Sequence, residues 1–129
     1  MFLMKKLIAK KFEKNDETMT LILEEVIDEQ LALELKDGER MLVDSDQLAF
    51  IYILEDSTQF YYVTIPQELW KDLADIHRQE QRVDVKLTDQ VTVELKALHH
   101  ELSFLLENIA GNGNYGEELE KVVTSEFML

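Results

Sequence analysis

The 129-residue chain contains no cysteine, and its 27 acidic residues outnumber its 13 basic residues, giving a net charge of −14. The absence of cysteine excludes disulfides, thiolate metal sites and cysteine nucleophiles, and it fits a reducing compartment, so we expect a cytoplasmic protein. A chain of this length buries about two-thirds of its unfolded surface without a covalent staple, so residues 1–129 are predicted to form a single domain.

Charge is distributed unevenly along the chain. The first fourteen residues carry a net charge of +4, and the remainder carries −18. Because a surface this acidic repels phosphate groups, we expect neither nucleic acid nor an anionic membrane as a partner. A basic protein partner fits this charge. The simpler interpretation is that acidity only keeps the protein soluble.

The first half of the chain has the pattern of β-strands. Strands are predicted around residues 7–12, 19–23 and 31–35, where the period of the apolar residues is mostly two, as in a half-buried strand. Turn-forming residues at 15–17 and 37–38 are predicted to interrupt the strands.

Residues 48–54 and 60–65 are apolar on both faces, and the five polar residues between them predict a hairpin. Strands of this kind are expected to be covered on both sides. Either the sheet curls onto itself, or a second copy of the chain covers its outer face.

The second half adds helices and one more hairpin. Pro66 is predicted to open a helix, since the apolar residues that follow it have helical spacing. Residues 83–95 predict a second hairpin, and residues 95–109 and 117–127 predict two helices. The predicted fold class is α+β, with a mainly antiparallel sheet of about six to seven strands and three helices, two of them consecutive at the C-terminus.

Two motifs resemble functional sites. The sequence G-x-G-x-x-G at 111–116 follows a helix instead of a strand, and acidic residues come next, so we interpret it as a helix connector with positive φ angles. His99, His100 and Glu101 suggest a metal site, but position 104 is Phe104, so H-E-x-x-H is absent. We interpret His100 as exposed and His99 as a boundary residue.

Neither a catalytic residue, a metal ligand nor a cofactor is predicted. Asp44 and Asp46 could contribute to a Mg²⁺ or Ca²⁺ site, but such a site needs several more oxygens, and a role in a turn is the simpler interpretation. The histidines could act as general bases in principle. Nothing in the sequence pairs one of them with a nucleophile.

Three aromatic residues are candidates for an interface. Phe104 lies away from the leucine stripe of its helix, so it either packs on the C-terminal helix or contacts another subunit. Phe50 and Tyr52 share one face of a strand that is apolar on both sides, so they too could pack within the chain or contact another subunit. A homodimer is therefore one expectation.

The segments MLVDSDQLAFIYILED, FYYVTIPQELW and FLLENIAGNGNYGEELEKVV resemble the YjbL-like uncharacterised protein family of Bacillus-type bacteria, uncharacterised protein family number 0738. The resemblance implies a bacterial cytoplasmic protein and carries no activity, ligand or partner. It directs attention to two polar loops, since such loops commonly carry function. The candidate functional residues in these loops are Asp44, Ser45, Asp46, Asn114, Tyr115, Gly116 and Glu117.

The leading hypothesis is a non-enzymatic protein-interaction or regulatory module. The alternative is a small-molecule or divalent-metal-binding protein, or a hydrolase, with a site near Asp44 and Asp46. That alternative requires a cleft that brings these carboxylates close to Tyr115 or a histidine. A structural subunit of a larger assembly is the third hypothesis.

Overall fold

Among residues 3–128, which the computed structural model describes, seven strands form one sheet. The strands are β1 (Leu3–Asn15), β2 (Thr18–Leu23), β3 (Lys36–Asp44), β4 (Ala49–Glu55), β5 (Gln59–Pro66), β6 (Arg82–Lys86) and β7 (Thr92–Glu94). The α-helices are α1 (Glu29–Glu34), α2 (Trp70–Arg78), α3 (Leu98–Ile109) and α4 (Glu117–Phe127). Short 3₁₀ turns at Gln67–Leu69 and Gly113–Tyr115 precede α2 and α4.

The sheet is mixed, with the order β3-β4-β5-β1-β2-β6-β7. The pairs β1–β2, β3–β4, β4–β5 and β6–β7 are antiparallel, whereas β1–β5 and β2–β6 are parallel. The predicted α+β class with a mainly antiparallel sheet is therefore confirmed, although the two parallel pairs were not expected. Both predicted hairpins and the three predicted helices are present.

The long strand β1 joins the two halves of the sheet. Residues 3–8 pair with β5, and the strand then pairs with β2 from Ala9 onward. The register shifts between Ala9 and Lys11. Such an irregularity increases the local bend of a strand, so β1 turns one half of the sheet towards the other.

The curled sheet brings its edge strands β3 and β7 into contact. Asp37 of β3 accepts a hydrogen bond from the backbone N–H of Lys96, just after β7, at 3.0 Å. It also accepts one from the Tyr52 hydroxyl at 2.5 Å, and that hydroxyl oxygen accepts one from the N–H of Ala97 at 3.1 Å. Side chains therefore join the two edges where no strand pairing does.

A second contact extends this closure to α3. Glu101 accepts a hydrogen bond from the backbone N–H of Met41 in β3 at 3.1 Å. We call Asp37, Tyr52 and Glu101 the polar seam. Burial and the hydrogen bond to Asp37 raise the pKa of Tyr52, so its hydroxyl keeps its proton. Curling, one of the two expected ways to cover strands that are apolar on both faces, is thus present within the chain itself.

The core lies between the concave face of the sheet and helices α2, α3 and α4. Its largest side chain, Trp70, is fully buried, and its ring centroid lies 4.8 Å from that of Phe50 and 6.3 Å from that of Phe127. The indole N–H donates a hydrogen bond to the carbonyl of Ile65 at 3.0 Å, so this buried donor has a partner.

The strand predicted at residues 31–35 is wrong, because residues 31–34 belong to helix α1 and Leu35 is its C-cap. Asp28 caps α1 by accepting a hydrogen bond from the N–H of Leu31 at 3.2 Å. Ala32 and Leu35 are buried, while Leu33 is 71% exposed. An alternating pattern over five residues also contains the i, i+4 spacing of a helix face, so the period alone did not separate the two structures.

The turn predicted at residues 37–38 is also wrong, because both residues lie in β3. The local turn chemistry is present, since Asp37 accepts a hydrogen bond from the N–H of Glu39 at 2.8 Å. It produces a shift in register against β4 between Asp37 and Arg40 instead of a chain reversal. Gly38 permits a close approach here, since a Cβ at this position would lie 2.6 Å from the carbonyl oxygen of Ile53.

We predict that Gly38→Ala lowers the free energy of unfolding by roughly 3 kcal/mol, because the added methyl group forces the backbone of β3 away from β4. Gly113→Ala is the matched control, since a Cβ there meets nothing within 4 Å. Its effect should stay within about 0.5 kcal/mol. Urea denaturation of both variants measures the difference, and equal destabilisation would contradict the close approach.

We predict that Tyr52→Phe lowers the free energy of unfolding by about 1–3 kcal/mol, because Asp37 and the N–H of Ala97 both lose a partner in the polar seam. Tyr62→Phe on β5 removes a hydroxyl outside the seam from a partly exposed ring. The same urea denaturation should give a clearly smaller change for this control. Indistinguishable midpoints for the two variants would argue against a stabilising seam.

Candidate functional site

The Asp44-Ser45-Asp46 segment forms the turn between β3 and β4. Asp44 Oδ1 accepts hydrogen bonds from the backbone N–H groups of Asp46 and Gln47, both at 3.1 Å. This is the usual way in which an aspartate stabilises a turn. Within residues 3–128, no group of three histidine, aspartate or glutamate side chains is placed to hold a metal ion.

The 111–116 segment connects α3 to α4, as predicted. Gly111 and Gly116 have φ angles of 71° and 90°, which glycine adopts without strain. The side chain of Asn112 accepts a hydrogen bond from the N–H of Asn114 at 3.0 Å. Tyr115 packs against the core, and Glu117 begins α4.

A concavity of about 610 Å³ lies beside this connector and is lined by Gly113, Glu117 and neighbouring residues of α4. Neither Asp44 nor Asp46 lines any of the five best-formed concavities of the described residues. The two candidate loops therefore share no cleft among these five, and neither of them shares one with a histidine.

The three candidate interface residues separate into two groups. Phe50 and Tyr52 have no exposed surface and belong to the core, so they are corrected to core residues. The reason is that the concave face of the curled sheet carries them under the helices. Phe104 is 61% exposed on the outer side of α3, and packing on α4 does not bury it.

A hydrogen-bonded array of two histidines and a serine joins α2 to α3. His77 lies in the last turn of α2, and His99 and Ser103 lie one turn apart on α3. The Nδ1 atoms of His77 and His99 are 3.0 Å apart, and the rings stack with centroids 5.2 Å apart. Ser103 Oγ lies 3.2 Å from His77 Nε2, and His99 Nε2 lies 2.5 Å from the carbonyl oxygen of Gln81.

The partners of the array assign its protons when both imidazoles are neutral. The carbonyl of Gln81 can only accept, so His99 Nε2 carries a proton and His99 Nδ1 accepts. His77 Nδ1–H then donates to His99, and His77 Nε2 is left to accept the hydroxyl proton of Ser103. One arrangement of protons thus satisfies every hydrogen bond of the array. If both Nδ1 atoms carried a proton, two donors would face each other between the rings.

The surroundings favour the neutral form of His77. Burial, followed by repulsion from His99, lowers the pKa of His77 below its ordinary value of 6.5, and Glu80 opposes this shift. His77 is therefore uncharged at neutral pH, and its Nε2 atom can accept a hydrogen bond from a neighbouring hydroxyl.

The Ser103–His77 pair faces an open concavity of about 260 Å³. Its apolar wall consists of Ala74, Leu106 and Phe127, and Arg78 and Glu107 add one charge of each sign. The spacing of His99 and Ser103 places them on one face of a helix, and the sequence alone could have shown this. The pairing with His77 brings together residues 22 and 26 positions apart, which no local pattern indicates.

The comparison with known families decides where the chain belongs. A model described as "Family of unknown function (UPF0738)" matches residues 7–127. The chain belongs to the UPF0738 family. This confirms the resemblance based on the residues around Asp44 and the connector.

The relatives of this UPF0738 member are proteins of Bacillus-like bacteria. It is 47% identical over 124 residues to a UPF0738 protein of Shouchella clausii, covering 96% of this chain and 100% of that relative. It is 48% identical over 95 residues to the UPF0738 protein YjbL of Bacillus subtilis, covering 74% of this chain and 77% of YjbL. No solved structure matches the chain.

None of the helices in residues 3–128 is long and apolar enough to cross a membrane.

We predict that His77 makes the folded state less stable as the pH falls. Because the folded state disfavours protonated His77, the unfolded state binds more protons, so this contribution is present above pH 6.5 and is lost below it. Stability measured by urea denaturation between pH 7.5 and 5 should therefore fall more steeply for the unmodified protein than for His77→Gln.

His100→Gln is the matched control for this experiment, since it removes an exposed imidazole from α3. Its pH profile of stability should follow that of the unmodified protein. Parallel profiles for the unmodified protein and His77→Gln would contradict the stabilisation of neutral His77 in the array.

Proposed function

We propose that this UPF0738 protein is a protein-interaction module that binds a basic partner through the surface of α3 around Phe104. The observation that supports this function is the 61% exposure of Phe104. Large aromatic side chains that stay exposed are typical of binding surfaces, where they contribute much of the affinity.

The neighbours of Phe104 determine the chemistry of this surface. His100, Glu107 and Asn108 are exposed one turn away on the same helix. The side-chain amide of Asn108 donates to the carbonyl of Phe104 at 2.9 Å, which holds Asn108 along the helix. The ring is thus surrounded by polar groups, and one of them is a carboxylate.

The charge of the chain favours a basic partner over a second copy. With a net charge of −14, two copies repel each other, whereas a lysine- or arginine-rich partner is attracted over a distance of roughly 10 Å. A cation of that partner could also lie over the ring of Phe104, an arrangement worth about 0.5–1 kcal/mol at an exposed site.

The alternative function at Asp44 and Asp46 has less support. Asp44 already accepts two backbone hydrogen bonds in its own turn, and none of the concavities described above contains the pair. We therefore do not propose a divalent-metal site there.

To test this, a photo-crosslinking amino acid is introduced at position 104 of the chain. The protein is then irradiated in a cytoplasmic extract of a bacterium that has a UPF0738 relative, and the captured protein is identified. Leu33, which is 71% exposed on α1, supplies the matched control position. We expect a protein of high isoelectric point to be captured from position 104 and not from position 33, and capture should decline at high salt.

Purified partner then gives the affinity. Phe104→Ala should weaken its binding about tenfold or more, as for a central aromatic contact, while Leu33→Ala should leave it unchanged. A crosslinked dimer of the chain itself, capture that is equal at both positions, or an acidic partner would refute the proposal.

A further inference from the structure

We infer that Ser103, His77 and His99 form a nucleophilic site for acyl transfer, with Ser103 Oγ as the nucleophile towards a small, uncharged ester. The inference is independent of the proposed interaction at Phe104. It rests on the geometry of the array and on the concavity in front of it.

The order of the groups is that of an activated serine. Ser103 Oγ lies 3.2 Å from His77 Nε2, within the range for transfer of the hydroxyl proton to a general base. On its other side, His77 Nδ1 lies 3.0 Å from His99 Nδ1. His99 is a positioning residue, since its own bond to the Gln81 carbonyl fixes it as the acceptor that orients His77.

The base is in the required form at neutral pH. Burial and His99 lower the pKa of His77, so it is neutral when it must accept a proton. The charged and titratable groups around it are His99 from α3, Glu80 from the segment after α2, and Arg78 and Glu107 on the wall of the concavity. Glu80 alone raises the pKa of His77.

The reaction balances with the ester and water alone. Ser103 Oγ bonds to the ester carbonyl carbon while its proton passes to His77 Nε2. The bond from that carbon to the alkoxy oxygen then breaks, and His77 Nε2 returns the proton to the leaving alcohol. Water attacks the acylated Ser103 in the same way, releasing the carboxylic acid and restoring the hydroxyl.

The oxyanion of the tetrahedral intermediate needs a hydrogen-bond donor. Backbone N–H groups in the middle of α3 are engaged within the helix, so they cannot provide it. Arg78 lines the same concavity, and its contact to Asp75 at 3.1 Å engages one end of a guanidinium group that has five N–H donors. The structure thus assigns the electrophilic role to Arg78.

The concavity defines the substrate class. Its volume of about 260 Å³ suits a short acyl group, which would lie against Ala74, Leu106 and Phe127. The opposite charges of Arg78 and Glu107 offset each other in the lining, whereas the net charge of −14 of the whole chain repels negatively charged substrates. Uncharged short-chain esters are therefore favoured over phosphorylated or carboxylated ones.

The first experiment treats the full chain with a fluorophosphonate probe, which forms a covalent bond with activated serines, and locates the adduct by peptide mapping. We expect one adduct, on Ser103, in the unmodified protein. Ser125→Ala, which removes an exposed serine from α4, is the matched control and should keep the labelling. An unlabelled protein, or an adduct on another serine, would overturn the inference.

The second experiment tests the base by comparing labelling rates between pH 5 and 9. The rate at pH 7.5 should fall at least tenfold in His77→Gln and stay unchanged in His100→Gln. In His99→Gln the midpoint of the rate profile should shift to higher pH, because His99 no longer lowers the pKa of His77. A labelling rate that is the same in His77→Gln as in the unmodified protein, with both chains folded by circular dichroism, would overturn the inference.

Discussion

The fold depends on hydrogen bonds that close the curled sheet without a strand pairing. Asp37 and Tyr52 accept backbone N–H groups from the segment after β7, and Glu101 accepts one from β3. Without these acceptors the N–H groups of Lys96, Ala97 and Met41 would lose these partners, at a cost comparable to a lost hydrogen bond for each group. Closure also keeps the large apolar side chains of β4 and β5 under the helices.

The same closure explains how α3 is held and why one of its sides remains accessible. The leucine stripe of α3 lies in the core, and Glu101 attaches its first turns to β3. His99 attaches it to the end of α2. The helix therefore presents Ser103 and Phe104 on a rigid support, which favours a defined geometry at both proposed sites.

Local patterns predicted the hairpins and the helices α2, α3 and α4, because in these segments one period dominates over enough residues. They failed at residues 31–35, because these five residues fit the period of a strand and that of a helix equally well. Only the burial of Ala32 distinguishes the helix from the strand. They also could not show the contact of Asp37 with Lys96, or that of His77 with His99, since both contacts arise from the order of strands and helices in space. The polar seam and the histidine–serine array therefore could not be predicted from the sequence, whereas the turn at Asp44 could be.

Strand β1 has a further consequence for how the chain is made. Its neighbour β5 begins at Gln59, so during synthesis from the N-terminus the first half of β1 waits, unpaired on that side, until more than forty further residues have emerged. An unpaired strand is prone to associate with other chains, and lysine is the residue most often used to prevent this. The lysines of β1, in an otherwise acidic protein, are charges of the kind that oppose such association.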